Sequence, residues 1–144
     1  MTENYDKSFF ILINLLEGYE SDLPFDVGGP TILGVSSRFY PKEYAELKSL
    51  PKDEALKRVK DFYYKEFWNK YMCDNLPDKI DTLYFVTAVN TPRGEKIIAF
   101  NIGSFENECL ELIDYYINQT KSEYKIGLVN RVLKVWKYLG GGHV

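Results

Sequence analysis

One stretch constrains this chain more than any other. Between Gly18 and Gly34 the sequence turns to Gly, Pro, Asp and Ser, including Asp26-Val-Gly-Gly-Pro-Thr31, directly after an apolar run from Phe9 to Leu16. Gly and Pro at that density break a helix, so a long loop or a small hairpin is expected there. On its N-terminal side, Phe9, Phe10, Leu12, Ile13, Leu15 and Leu16 cover most of the circumference of a helix from about Asn4 to Leu16, the pattern of a helix buried on nearly every side. Glu17 closes it.

Beyond the break, helical signals return. They are expected over Pro41 to Ser49 and over Pro51 to Tyr71, where Leu56, Val59, Tyr63 and Phe67 recur at helical intervals and Asn75-Leu76-Pro77 marks the end. Further helices are expected over Asp78 to Thr91, Gly94 to Asn101, Asn107 to Gln119 and Ser122 to Leu139. Breaks fall at Pro92, around Gly103-Ser104 and at Thr120, and the Gly140 to Val144 tail is expected to fray. The reading is an all-α single domain over residues 1–144 with one irregular Gly-rich loop or small hairpin after the first helix, since a chain of 144 residues builds one sizeable core.

Several function classes drop out. With 18 Lys and Arg against 21 Asp and Glu, the net charge of -3 argues against a protein that lives on nucleic-acid phosphates. The one histidine, His143, sits beside the C-terminus, so imidazole-based nucleophile activation and His-rich metal sites are not expected. Cys73 and Cys109 form no close-spaced pair and are expected as free thiols. The apolar run contains Asn14 and stops at Glu17, too short and too interrupted for a signal peptide or a membrane span. Gly28-Gly29 lacks the Lys-Ser/Thr of a phosphate loop. Any acid–base chemistry falls to carboxylates, with no metal and no cofactor.

Glu17 stands between an apolar helix and an open polar loop, where one wall lowers the dielectric and the other admits substrate. A glutamic acid so placed is suited to protonate a glycosidic oxygen. Asp26 and Thr31 follow at intervals that let a returning loop set a carboxylate and a hydroxyl opposite the acid, where together they could hold an attacking water. That arrangement favours inversion at the anomeric carbon. Tyr19, Phe25 and Tyr40 flank the loop, and Tyr19 is the candidate platform for a sugar face. Asn90 is a candidate to bind an acetamido group, or else a helix-end cap beside Pro92. Most of Phe9, Phe10, Phe62, Phe67 and Trp68 should be core.

Glu17 to Val35 resembles the signature of glycoside hydrolase family 108, a family of phage and bacterial N-acetylmuramidases, which reads Glu-Gly-Gly-Tyr-x-x-Asp-Pro-x-Asp-x-Gly-Gly-x-Thr-x-x-Gly-Ile. Glu17, Gly18, Pro24, Asp26, Gly28, Gly29, Thr31 and Gly34 fall at matching offsets without a gap, and Val35 replaces Ile. The likeness continues more weakly through Phe62 to Trp68, Asn75-Leu76-Pro77 and Ala88-Val89-Asn90. It covers about the first hundred residues, leaving 102–144 as helices packed on that part, with Arg131 to Tyr138 loosely like the family's closing helix. Departures are Tyr19 for the second Gly, Glu20 for Tyr, Leu23 for Asp, Val86 for an Asp, and Thr91-Pro92 after Asn90. The order of Glu17, Asp26 and Thr31 is also similar to that of bacteriophage-type lysozymes.

The resemblance implies a lysozyme-like monomer in which Glu17 is the catalytic acid. It would cut the β-1,4 bond between N-acetylmuramic acid and N-acetylglucosamine. Its partners would be peptidoglycan glycan strands, reached at the bacterial wall by holin release, machine export or incorporation in a virion. An inactive wall-binding or virion structural protein on the same fold is the alternative.

Overall fold

The first helix is present in two parts. In the computed structural model α1 (Glu3–Ile11) runs on into a wider π-helical stretch, Leu12–Glu17. Gly18 N–H donates to Ile13 O at 2.8 Å, five residues back, and ends the helix at a φ of +70°, which glycine adopts without a Cβ clash. Tyr5, Ile11 and Leu12 are fully buried, but Phe10 is 48% exposed and Asn14, one turn on, is exposed beside it. The expectation of a helix buried on nearly every side is therefore corrected, and Phe10 leaves the list of core aromatics. The structure describes residues 3–21, 29–90, 95–98, 102–119 and 122–140. Asp26, Pro24, Phe25 and Gly28 of the loop lie outside them, as do Pro92, Thr120 and the tail with His143.

The segment after Glu17 contains a small antiparallel sheet of β1 (Glu20–Ser21), β2 (Thr31–Ile32) and β3 (Val35–Ser36), in that order. Ser21 faces Thr31, and Thr31 faces Ser36. Two helices follow, α2 (Pro41–Ser49) and α3 (Lys52–Tyr63), the latter continuing as a π-helical stretch, Tyr64–Asn69. The buried stripe of α3 is Ala55, Val59 and Tyr63, while Leu56 is 41% exposed. This helix ends before the expected Asn75-Leu76-Pro77. Met72 takes a left-handed φ of +57°, and a single 3-10 turn, Cys73–Asn75, follows. Trp68 Nε1 donates to Asp74 Oδ1 at 2.8 Å and ties that turn to the helix.

Helix α4 (Ile80–Asn90) is the centre of the molecule, with every residue from Ile80 to Ala88 buried. It lies close to α1, where the Ser8 and Thr82 hydroxyls share a buried hydrogen bond of 2.6 Å. Tyr5, Trp68 and Phe85 meet edge-on with ring centroids 5.3 Å, 5.5 Å and 5.7 Å apart, joining α1, the π-helical continuation of α3, and α4. Helices α5 (Phe105–Gln119) and α6 (Ser122–Leu139) pack on each other; α5 also touches α4, and α6 touches the π-helical end of α1. Cys73 and Cys109 are free and buried, and burial pushes both thiols up to about 12. The result is a mostly helical, lysozyme-like arrangement with one small sheet after the first helix.

Candidate active site

Glu17 is the last residue of the π-helical stretch, with a side chain 13% exposed. Its Oε1 is shut off from solvent and, among the described residues, accepts no well-aligned hydrogen bond. Its partner is a charge: Arg131 Nη2, from α6, lies 2.7 Å away. Asn90, at the end of α4, turns its amide oxygen to the same guanidinium, with Nη1 at 2.9 Å. The opposite amide orientation would set NH2 against N–H donors only, which fixes the assignment. Lys134, one turn after Arg131, reaches 3.5 Å from Leu15 O, a cation near the carbonyl end of that first helix.

The other wall is the hairpin. The β2–β3 turn is Leu33-Gly34, with φ of +51° and +81°, the signs of a two-residue turn that matches strand twist. Leucine rarely takes such a φ, and here it is held from both sides. Leu33 N–H donates to Tyr19 O at 2.6 Å, and Leu33 O accepts from the buried Tyr63 hydroxyl at 2.7 Å. The turn thereby presses Gly34 against the acid: a Cβ at position 34 would lie 2.8 Å from Glu17 Cγ and 2.5 Å from Tyr63 Oη. Burial raises the Tyr63 phenol well above its ordinary value, with the charge of Glu17 adding to it and that of Arg131 opposing it. Tyr63 is therefore a neutral donor.

Of the residues expected at the site, Thr31 is buried in β2, three residues before Gly34 on the strand that leads into the turn. Tyr19 is half-buried against the core, with Lys52 Nζ 4.9 Å above its ring. Asn90 is joined to Glu17 through Arg131, and Asp26 lies outside the described residues. Sequence reasoning missed Arg131, Tyr63 and the contact of Gly34. The Gly34 position was visible in the motif; Tyr63 read only as core, and nothing near Arg131 in the chain signals an acid 114 positions away. A cavity of about 170 Å³ lies elsewhere, between α2 and α3, walled by Leu47 and Phe62 and by the Glu46–Arg58 ion pair, and it shares no residue with this cluster.

The family model of Glycosyl hydrolase 108 matches residues 11–91, more than half of the chain. The chain belongs to that family. Its members are glycoside hydrolases, and the matched segment holds Glu17, the hairpin, Tyr63 and Asn90, whereas Arg131 lies beyond it. No curated protein and no solved structure is significantly similar to this chain. Among the described residues no helix is long and apolar enough to cross a membrane.

Proposed function

We propose that this glycosyl hydrolase is an N-acetylmuramidase that cleaves the β-1,4 bond between N-acetylmuramic acid and N-acetylglucosamine in peptidoglycan, with Glu17 as general acid. The observation that carries this reading is the seat of Glu17. Its carboxyl stands at a helix end, one oxygen shut in by Arg131 and the stem pressed by Gly34, inside the segment that belongs to the family. Expelling a sugar leaving group calls for one such positioned carboxylic acid. Asp26 and Thr31 hold the attacking water, and Tyr19 offers the ring face opposite Lys52 to a pyranose. Asn90 gives its amide oxygen to Arg131 and keeps its N–H donors for an acetamido carbonyl. The substrate is met at the bacterial wall.

Digestion of purified cell walls tests the assignment. Glu17→Gln keeps size and removes the transferable proton, so release of reducing ends falls at least about a hundredfold with the fold intact. Full turnover by a folded Glu17→Gln protein overturns the role of Glu17. A second reading, an inactive wall-binding or virion structural protein, draws on the counter-charge already seated on Glu17; wall binding by the wild type without release of reducing ends selects it. If Asp26 and Thr31 hold water, the first product seen by NMR is the α-anomer, and an initial β-anomer shows retention with direct attack by a carboxylate.

A further inference from the structure

We propose that Arg131 is a positioning residue for Glu17: by holding Oε1 it assigns the transferable proton to Oε2. The inference rests on the muramidase reading above and concerns how its acid is set. The two carboxyl oxygens of Glu17 are not equivalent. Oε1 has no contact with solvent and faces the guanidinium at 2.7 Å. The exposure that the side chain retains, 13%, belongs to its other atoms. A proton on Oε1 would point at a cation, whereas with the proton on Oε2 the first oxygen keeps its lone pairs and partial negative charge toward the guanidinium.

Each partner has a further neighbour. Asn90 holds the guanidinium from α4, so Arg131 is fixed at two points from two helices. On the far side Gly34 lies so close to the Glu17 stem and to the Tyr63 hydroxyl that a Cβ at position 34 would fall 2.8 Å from Glu17 Cγ and 2.5 Å from Tyr63 Oη. In the reaction the proton passes from Oε2 to the leaving glycosidic oxygen. The C1–O electron pair departs with that oxygen, and water closes on C1. One proton of that water stays on the new C1 hydroxyl; the other is released to solvent, from which Glu17 regains its proton. Between these steps Glu17 is a full carboxylate, and Arg131 is the charge that faces it.

The test compares Arg131→Met and Arg131→Lys with the wild type for kcat and KM on purified wall glycan, with thermal unfolding measured on each. Arg131→Met lowers kcat about tenfold or more, the scale of a misplaced catalytic group, with a smaller change in KM from the Asn90 amide it releases. Arg131→Lys keeps the charge without the planar fork and falls between the two. Placed in the Glu17→Gln background, Arg131→Met causes no further loss of kcat, as a residue that sets the rate through Glu17 must. Wild-type kcat in either folded variant overturns the inference, and so does a further fall of kcat when Arg131→Met is added to Glu17→Gln. Should Arg131→Met fail to fold, Arg131→Lys decides alone. A wild-type protein inert on walls is a different result, the failure of the muramidase reading itself.

Discussion

Gly34 shows how much of the site turns on one missing atom. Its φ of +81° is a backbone setting that favours glycine, and the Cβ of any other residue would collide with Glu17 Cγ at 2.8 Å and with the Tyr63 hydroxyl at 2.5 Å. The two penalties act on different observables. Backbone strain costs about 1–3 kcal/mol of stability, while the collision shifts the acid. Gly34→Ala is therefore expected to lower the unfolding free energy by about that amount in denaturant titration and, in the same protein, to reduce wall digestion more than the lost stability explains. Full activity in a destabilised Gly34→Ala protein would show that the hairpin does not set the position of Glu17. The spacing of Glu17 and Gly34 was legible in the sequence because both belong to one local pattern. That they touch was not, since contact follows from the Leu33 backbone being held by Tyr19 and Tyr63.

Among the elements, the positions of the helices were readable and their irregularities were not. Over six residues the side chains of a π-helical stretch do not depart enough from α periodicity to be told apart, so Leu12–Glu17 and Tyr64–Asn69 read as plain helix. Helix α5 begins at Phe105, two residues before the expected start. Ser104 is its cap, its hydroxyl accepting from Asn107 N–H at 3.2 Å. The same helix start buries an acid. Glu108 is 1% exposed, its Oε1 accepts from Gly103 N–H at 2.9 Å, and its Oε2 has no hydrogen-bond partner among the described residues. Burial raises its carboxyl above the ordinary 4.5, Glu111 adds to the rise and the Gly103 hydrogen bond opposes it. A carboxyl raised in the folded state binds its proton more tightly there than in the unfolded chain. Its contribution is thus fully present below the ordinary value and is lost as pH rises through the folded one. Glu108→Gln keeps the acceptor for Gly103 and removes the charge, so it is expected to raise stability at pH 7. It should also flatten the gain in stability on acidification toward 4.5. Denaturant unfolding at the two pH values reads both effects, and a destabilised Glu108→Gln protein at pH 7 would mean that the charged form is the one the fold prefers.

For the whole molecule, the segment with the family's pattern is not the whole site. Residues 11–91 supply Glu17, the hairpin, Tyr63 and Asn90, yet the charge that meets Glu17 arrives on α6. Sequence reading could place α6 as a helix by its apolar spacing but not assign it a place at the acid. The bundle is closed by α5 and α6 acting together: Tyr116 of α5 and Leu128, Arg131 and Val132 of α6 line one small cavity with Leu83, Val86 and Asn90 of α4. Val132 and Val135 are 4% and 0% exposed. Burying each such side chain contributes about 1.5–3 kcal/mol. The pair alone is therefore comparable with a good part of the about 5–15 kcal/mol that holds a domain together. A chain ended after Gln119 loses these contacts, uncovers Tyr116, and leaves the Glu17 carboxylate without its guanidinium. It is expected to show no cooperative thermal transition by circular dichroism, to be cut rapidly by a nonspecific protease, and to digest no wall glycan. Were the shortened chain to melt cooperatively and still digest walls, the last helix would be an accessory to a catalytic unit complete within the first 119 residues, and Arg131 would have no part in its chemistry.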